Sequence, residues 1–479
     1  MKMLISGNWV DAANRATIDV TNPYDGKLLE TVPNAAKEDV DRAIADAVTA
    51  QKQWNRVIVR ERAKILRRYL ELLTEYRDEL ARTLTLETGK PIFDSYGEID
   101  SVYMTFESSI EIVKHQYGKT MPMGIEGGYD DDLQVTVHEP LGVIACIVPF
   151  NFPAALWAFK AGPALMAGNA IVVKPATSNP LTVLKLMGLL VEAGVTPGAV
   201  QCVTGRGSTV GNWISDNPSI AQLNLTGGVE AGKEIARHAA ENLTAYKFEL
   251  GGNDPLIICA DCDMDLAVNE AGDKTRNAGQ CCSGAKRFIV HESIKDEFVT
   301  RLIEERLKTV KEGDLMDLET DFGVLISEAA AKEVEQQVQH TIGQGAKLVY
   351  GGVRRGAYYM PTVLDNCTKN GYLQKHGDLW TDLPIFTSRR WMRRLRSLRP
   401  PTTASARASS RTTGRHEGGR SLNGHGRRQR FPRVSRAGAA LRRRQEDDGN
   451  SQMVTSVLEE VTQEKSIIFR YAMKKYHES

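Results

Sequence analysis

The feature that most constrains this fold is a regular alternation of short apolar runs with helical patterns, starting at about Val135. The run LGVIACIVPF has the continuous apolar character of a strand that is buried on both faces, and IVVK and IAQLNLTG are predicted to be further strands. Each is followed by a segment with helical periodicity, and such alternation produces parallel sheets with right-handed crossovers. A second alternating set starts near Lys247. We therefore predict an α/β fold with two doubly wound open parallel-sheet domains, joined at about Leu250.

Helices are predicted before this region and a strand near the C-terminus. Between Lys37 and Leu86 the spacing of apolar residues indicates two helices, the second ending at Gly89 before Pro91. Near the C-terminus, SIIFRYA is rich in β-forming residues and predicts a strand.

Length and composition narrow the class of protein. A chain of 479 residues is expected to form two or three domains. Its seven cysteines are unevenly spaced and do not resemble a disulfide framework. The N-terminal residues lack the pattern of a signal peptide, so we predict a cytoplasmic protein. The most apolar stretch, 141–168, contains three prolines, an asparagine and a lysine, and we predict no membrane span.

Two adjacent cysteines, Cys281 and Cys282, lie in the segment NAGQCCSGAKR. Most cysteines are small buried hydrophobes. Flanking glycines, however, allow the backbone to turn sharply here, and a helix start would stabilise a thiolate. Adjacent cysteines are poorly placed to ligate one ion, and the pair in CADC (259–262) has no second pair near it, so no metal site is predicted. The segment alone does not choose between Cys281 and Cys282 as a nucleophile.

Two polar residues lie at the predicted ends of strands. Glu249 in FELGGN is either a solvated or ion-paired carboxylate, or a partly buried general base with a raised pKa. Asn151 in VPFNFP either caps the helix that begins at Pro153 or presents its amide to an oxyanion. The edge formed by the carboxyl ends of parallel strands is where open α/β sheets bind ligands.

Glycine-rich loops follow two of the predicted strands. The segments GRGSTVG (205–211) and LTGGVEAG (225–232) each follow a strand and open a helix, which is the setting of a dinucleotide site. Lys174, at the end of IVVK, is placed to reach a ribose or a phosphate. Each of these signals is weak by itself.

In combination, PFNFP, IVVKPA, LTGG, FELGGNDP and NAGQCCSGAKR resemble the NAD(P)-dependent aldehyde dehydrogenase superfamily. The resemblance covers the N-terminus to about Asn366 and resumes near Val454. It implies that Cys282 is the nucleophile, Glu249 the base and Asn151 an oxyanion donor. The residues implied in cofactor binding are Val148, Pro149, Phe150, Lys174, Thr177, Gly207, Gly211, Thr226, Gly227, Gly228 and Leu250.

The resemblance also implies the reaction and its reactants. An aldehyde would be oxidised to the carboxylic acid with NAD or NADP through a thiohemiacetal and a thioester on Cys282. Thr177 stands where many NAD-preferring members carry a glutamate, so NADP is admissible. We expect a small aldehyde, such as succinate semialdehyde or lactaldehyde, and a homodimer or homotetramer without nucleic-acid or membrane partners.

The expected domains follow the same family pattern. Residues 1–119 and 139–249 would form the dinucleotide-binding domain, and residues 250–450 the catalytic domain. Residues 120–138 and 454–474 would form the oligomerisation ribbon.

One block, residues 373–452, departs from this pattern. The net charge is +1, yet 18 Arg, no Lys and one acid, Glu417, lie between Arg389 and Arg444. The rest of the chain carries 43 basic and 59 acidic residues. One interpretation is an inactive homologue that has a structural role or carries an arginine-rich nucleic-acid-binding arm. In addition, the family's EIFGP, NxxYGL, VNG and PFGG segments are absent from the sequence.

Back-translation favours a second interpretation of the block. Shifted reading frames permit MEIFGP from 376–381, ADYGLSAxVFT from 400–410, GMVVVNG from 424–430 and ELPFGGGKKMTG from 438–449. We therefore interpret residues 373–452 as largely out-of-frame translation, with DLPIF (382–386) and the tail from about Val454 in frame. The chain as written would then lack the family's glutamate that holds the nicotinamide ribose.

Overall fold

The computed structural model describes residues 1–122, 127, 130–368, 371–375, 382–388, 407–408 and 454–470. The described strands are β1 (Met3–Ile5), β2 (Asn8–Val10), β3 (Thr17–Thr21), β4 (Leu28–Pro33), β5 (Leu133–Pro140), β6 (Val143–Ile147), β7 (Ala170–Lys174), β8 (Val200–Cys202), β9 (Gln222–Gly227), β10 (Ala245–Leu250), β11 (Pro255–Ile258), β12 (Arg287–His291), β13 (Lys347–Tyr350), β14 (Arg354–Arg355), β15 (Tyr358–Tyr359), β16 (Thr362–Asp365), β17 (Asp382–Ser388), β18 (Arg407–Ala408) and β19 (Thr462–Phe469).

Helices cover the sheets. The α-helices are α1 (Lys37–Arg56), α2 (Val59–Glu75), α3 (Arg77–Thr88), α4 (Ile92–Val113), α5 (Pro153–Ala167), α6 (Leu181–Glu192), α7 (Asn212–Ser215), α8 (Val229–Glu241), α9 (Met264–Gly272), α10 (Lys295–Leu302), α11 (Glu328–Gly343), α12 (Tyr372–Lys375) and α13 (Val454–Glu460). π-Helical turns span Gly207–Gly211 and Ile303–Leu307, and a 3₁₀ segment spans Asp273–Gly279.

The first sheet has the order β10-β9-β6-β7-β8-β1-β2. Strands β6 to β10 are parallel to their neighbours, and β1 pairs antiparallel with β8 at one end. Chain order runs outwards from β6 through β7 to β8 and then restarts on the other side with β9. This reversal between β6 and β9 is the switch point at which doubly wound sheets bind ligands.

The second sheet has the order β13-β16-β17-β12-β11-β18. All of its pairs are parallel except β13 with β16. The segment DLPIF, predicted to be in frame, lies in β17 between β12 and β16. The predicted fold class, with two open sheets dominated by parallel strands, is confirmed.

The buried hydrophobic residues form separate clusters at the two sheets. One large cluster takes its buried residues from Met3 to Phe248 and adds Val457, Leu458 and Val461. Two smaller clusters, drawn from Leu256 to Phe386, pack beside the second sheet. The domain limits stated above stay predictions, and residues 389–406 and 409–453 lie outside the described part of the chain.

The C-terminal segment differs in part from its prediction. Strand β19 pairs antiparallel with β5 along its whole length, from Thr462 opposite Pro140 to Phe469 opposite Leu133. Residues 454–460, assigned to the ribbon, instead form helix α13. Val457 and Leu458 of this helix pack into the first core, and this packing stabilises the helix. The β-rich sequence that follows gave no indication of a helix here.

The N-terminal region also differs. Three helices, α1 to α3, replace the two predicted between Lys37 and Leu86, because the chain turns at Tyr76 without a proline or glycine to mark the break. Helix α4 follows Pro91 and was not predicted. The apolar stretch 141–168 contains β6 and α5. Within the described residues, none of the helices has both the length and the apolar character needed to cross a membrane.

Candidate active site

The carboxyl ends of four parallel strands bring most of the predicted cofactor residues to one edge of the first sheet. Val148 follows β6 and donates its N–H to the carbonyl of Lys174, at the end of β7, over 3.0 Å. Across the switch point, Thr226 and Gly227 end β9. They pair in register with Glu249 and Leu250 of β10. The predicted base therefore lies at the same edge as the predicted cofactor crevice.

The loop after β8 takes a conformation that requires glycine. Gly205 has φ +151°, and a Cβ there would stand 2.4 Å from Cγ2 of Val210. The hydroxyl of Thr177 donates to the Gly205 carbonyl over 3.0 Å, so Thr177 is tied to this loop. Gly207 and Gly211 begin and end the π-helical turn that follows.

Lys174 is a buried cation at the crevice. Its side chain is almost inaccessible, and its Nζ donates to the Pro175 carbonyl over 2.8 Å. Burial lowers the pKa of Lys174 to about 8. An ammonium with so little solvation gains from a hydroxyl or anionic partner, which matches the predicted contact with a ribose or phosphate.

A second buried lysine bonds two side chains of β9. Lys160 of α5 donates to the hydroxyl of Thr226 over 2.7 Å and to Oδ1 of Asn224 over 2.8 Å. Gly228 then precedes the first residue of α8, and helix N-termini of this kind attract anions. The sequence patterns identified Gly228 but missed Lys160, which no local motif connects to β9.

The segment before the two cysteines has an unusual backbone. Asn277, Ala278 and Gly279 have φ of 50°, 50° and 74°, a left-handed run that only the glycine adopts without cost. Gln280 supports it, because its N–H and its Nε2 both donate to the Asn277 carbonyl. The Gln280 Oε1 accepts from the N–H of Ile326 over 2.9 Å. Strained backbone of this kind clusters at functional sites.

Cys282 lies in the loop between this run and β12, not at a helix start. The side chain is half-buried. Burial raises the pKa of the Cys282 thiol to about 11, with further increases from Cys281 and Glu249 and a decrease from Lys286. Glu249 is therefore close enough for its charge to act on the Cys282 sulfur. The helix dipole considered from sequence does not lower this pKa. Sγ of Cys281 lies 3.4 Å from Oγ of Ser283.

The raised pKa predicts the pH dependence of thiol labelling without cofactor. Because the thiolate is the reactive form, alkylation of Cys282 by iodoacetamide should rise about tenfold per pH unit between pH 7 and 9. Quantitative peptide mass spectrometry after timed labelling measures this rate, with Cys282→Ala as the control for background signal. A rate that already levels off below pH 8 would contradict the raised pKa.

Asn151 links the loop after β6 to the cysteine loop. Its Nδ2 donates to the Gln280 carbonyl over 3.0 Å, two residues before Cys282. The alternative role as a helix cap is wrong. The first N–H groups of α5, from Ala154 and Ala155, are instead bonded by the carboxylate of Glu98. The Asn151 amide is thus held against the main chain two residues before the predicted nucleophile.

No metal centre is found among the residues that the structure describes, taking groups of three or more His, Cys, Asp or Glu. Cys259 and Cys262 are half-buried free thiols at a turn in which the Cys262 N–H donates to the Cys259 carbonyl over 3.2 Å.

Comparison with known proteins gives the family of the chain. The aldehyde dehydrogenase family matches residues 9–376. The chain is 38% identical over 387 residues to succinate-semialdehyde dehydrogenase [NADP(+)] GabD of Escherichia coli (strain K12), covering 80% of this chain and 79% of that protein. It is 36% identical to glutarate-semialdehyde dehydrogenase of Pseudomonas putida, with 80% and 79% covered.

Solved structures give the same result. An E. coli NADP-dependent enzyme superposes with a TM-score of 0.87 at 32% identity, covering 98% of each chain. The sequence prediction of an NAD(P)-dependent enzyme that oxidises an aldehyde to the carboxylic acid is confirmed at this level. By family match, by relatives and by fold, this chain belongs to the aldehyde dehydrogenase family.

Proposed function

We propose that this protein oxidises a small semialdehyde, succinate semialdehyde first among candidates, with Cys282 as the nucleophile. The observation that carries the proposal is the hydrogen bond from the Asn151 amide to the Gln280 carbonyl, two residues before Cys282. Glu249 is also within electrostatic range of the Cys282 sulfur. The relatives named for succinate and glutarate semialdehydes support the substrate class. Lactaldehyde, the other aldehyde expected from sequence, has no such support.

The residues present fit the predicted cofactor. Lys174, with its poorly solvated ammonium, would hold the adenosine ribose, and the segment 226–228 at the start of α8 would hold the pyrophosphate. When bound, NAD(P)+ supplies the hydride acceptor. The remaining cofactor residues predicted from sequence keep that role in the proposal: Val148, Pro149, Phe150, Gly207, Gly211 and Leu250.

Three side chains, Cys282, Asn151 and Glu249, carry out the proposed chemistry. The Cys282 thiol, whose pKa is raised by burial, first loses its proton to solvent, and the thiolate then adds to the aldehyde carbonyl. The developing oxyanion accepts hydrogen bonds from the Asn151 amide and from the Cys282 N–H, and losing one such donor costs roughly 3–4 kcal/mol in comparable sites. After hydride departure leaves a thioester on Cys282, Glu249 takes a proton from water, which attacks the thioester carbonyl and releases the acid and the thiolate.

Turnover with a panel of aldehydes, each with NAD+ and NADP+, tests the substrate class. We expect the highest kcat/KM for succinate semialdehyde or glutarate semialdehyde. A marked preference for an uncharged aldehyde would contradict the proposed class.

We infer that NADP+ is used at least as well as NAD+. Thr177 carries no charge and donates to the Gly205 carbonyl, so it offers no repulsion to a 2′-phosphate. Thr177→Glu should shift the preference towards NAD+ by about 100-fold, since like charges in contact cost several kcal/mol. Thr177→Gln is the matched control, because it has the same size without the charge. Ratios of kcat/KM measure the shift. A wild-type preference for NAD+ of about 100-fold would show that other contacts decide.

We further propose that residues 373–452 are largely out-of-frame translation. The family match ends at residue 376, three residues after this segment begins. Apart from β17 and the two residues of β18, the residues from 376 to 453 lie outside the described part of the chain.

We infer a homodimer or homotetramer in the cytoplasm. The ribbon of β5 and β19 supports an assembly because Ile468 and Phe469 are 53% and 50% exposed on it. Exposed apolar side chains at the end of a two-stranded ribbon favour a partner surface.

A further inference from the structure

A buried ion pair lies next to the candidate active site and takes no part in the chemistry described so far. Nζ of Lys90 is 2.5 Å from Oε2 of Glu98, and the two side chains are 0% and 2% exposed. Lys90 follows α3 and Glu98 lies in α4. Removing two charges from water is costly, and only good geometry with further hydrogen bonds offsets that cost.

Both charged groups make these further bonds at the Asn151 loop. Lys90 donates to the Asn151 carbonyl over 2.9 Å, and its Nζ stands 4.4 Å from the ring centre of Phe152. Oε1 of Glu98 accepts from the N–H groups of Ala154 over 2.8 Å and Ala155 over 3.2 Å. The pair therefore holds both sides of the short connection from Asn151 to the start of α5.

The cysteine loop holds the same residue from the other side. Nδ2 of Asn277 donates to the Asn151 carbonyl over 2.9 Å. The Asn151 amide in turn reaches the Gln280 carbonyl. The Asn151 main chain is thus fixed by one cation and one amide, from two different parts of the chain, while its side chain faces the segment that carries Cys282.

We propose that Lys90, held by Glu98, is a positioning residue that sets where the Asn151 amide stands relative to the Cys282 carbonyl adduct. This rests on the proposed role of Asn151 as an oxyanion donor. A fixed donor needs no reorganisation as charge develops, and a displacement of about 1 Å can lower a rate by about 100-fold. Lys90 contacts neither substrate nor cofactor in this account and acts only through Asn151.

A double-mutant cycle tests this, on the full-length chain with its reading frame restored. Asn151→Ala should lower kcat by about 10²- to 10³-fold. Lys90→Met should lower kcat by about 10- to 100-fold in the wild-type background. In the Asn151→Ala background it should lower kcat by less than about twofold, because the group that it positions is gone. KM for NADP+ should stay within about twofold throughout, since the ion pair does not touch the cofactor crevice.

Two further variants separate positioning from folding. Lys90→Met with Glu98→Gln removes both charges, so no lone buried ion is left, and the glutamine oxygen can still accept from α5. It should melt closer to the wild type than Lys90→Met alone and should still show the loss in kcat. Asp39→Asn is the matched control. Asp39 is another buried carboxylate that accepts main-chain N–H groups at a helix start, those of Ala13 and Ala36 beside α1. Its kcat should be unchanged.

The outcomes distinguish the two proposals. If Asn151→Ala leaves kcat unchanged, the oxyanion role fails, and the positioning role with it. If Asn151→Ala lowers kcat but Lys90→Met is equally harmful in both backgrounds, the ion pair serves stability alone and only the positioning inference is overturned. An unaltered kcat in the doubly neutral variant overturns it as well.

Discussion

Cys282→Ala in the frame-restored protein is expected to abolish aldehyde oxidation, with a loss in kcat on the order of 10⁶-fold, as when the nucleophile of a covalent mechanism is removed. The reason is that the thiohemiacetal and the thioester both form on this sulfur. NADPH formation followed by absorbance measures the loss. Binding of NADP+ should persist, since the predicted cofactor residues belong to other strands and loops.

Cys281→Ala is the matched control for this change, because it removes the neighbouring thiol from the same loop. It should keep most of the activity. In the wild type, the thiol of Cys281 lies beside Ser283, whereas the charge of Glu249 contributes to the raised pKa of Cys282. A large loss with Cys281→Ala and full activity with Cys282→Ala would reverse the assignment.

Restoring the reading frame across residues 373–452 is expected to convert a chain with little or no turnover into an active enzyme. As written, the block carries 18 Arg with few apolar residues in any regular pattern, which is a poor basis for a packed domain. The restored sequence would supply the missing family segments, including the glutamate for the nicotinamide ribose. Steady-state activity of both chains at equal concentration measures the difference.

Arg-directed proteolysis gives an independent check on the block. Cleavage of the chain as written should concentrate between Arg389 and Arg444, and the restored chain should resist under the same conditions. Full turnover by the chain as written, or equal resistance of both chains, would contradict the frameshift proposal. Tight DNA binding by the chain as written, with a steep loss of affinity as salt rises, would instead favour an arginine-rich arm.

The sequence patterns predicted the sheets well because a buried parallel strand can be identified from its own short apolar segment. The apolar runs of β6 and β7 were recognisable from the sequence alone. The patterns also put Thr226 and Glu249 at strand ends, and the parallel register then placed them side by side.

What the patterns missed depends on contacts between distant residues. Glu98 takes the capping role considered for Asn151, from 56 positions away along the chain. Lys160 reaches Thr226 from 66 positions away. The left-handed turn at Ala278 is similarly invisible, because alanine gives no local signal for a positive φ. The choice of Cys282 over Cys281 came from family resemblance, since neighbouring residues of one type carry the same local signal.

Trapping the acyl-enzyme tests the central claim most directly. Glu249→Gln should slow attack by water, so that mixing the frame-restored variant with NADP+ and succinate semialdehyde forms about one equivalent of NADPH per subunit and then stalls. Peptide mass spectrometry of the quenched protein should locate the acyl group on Cys282. An acyl group on Cys281, or turnover by Glu249→Gln at the wild-type rate, would contradict the account.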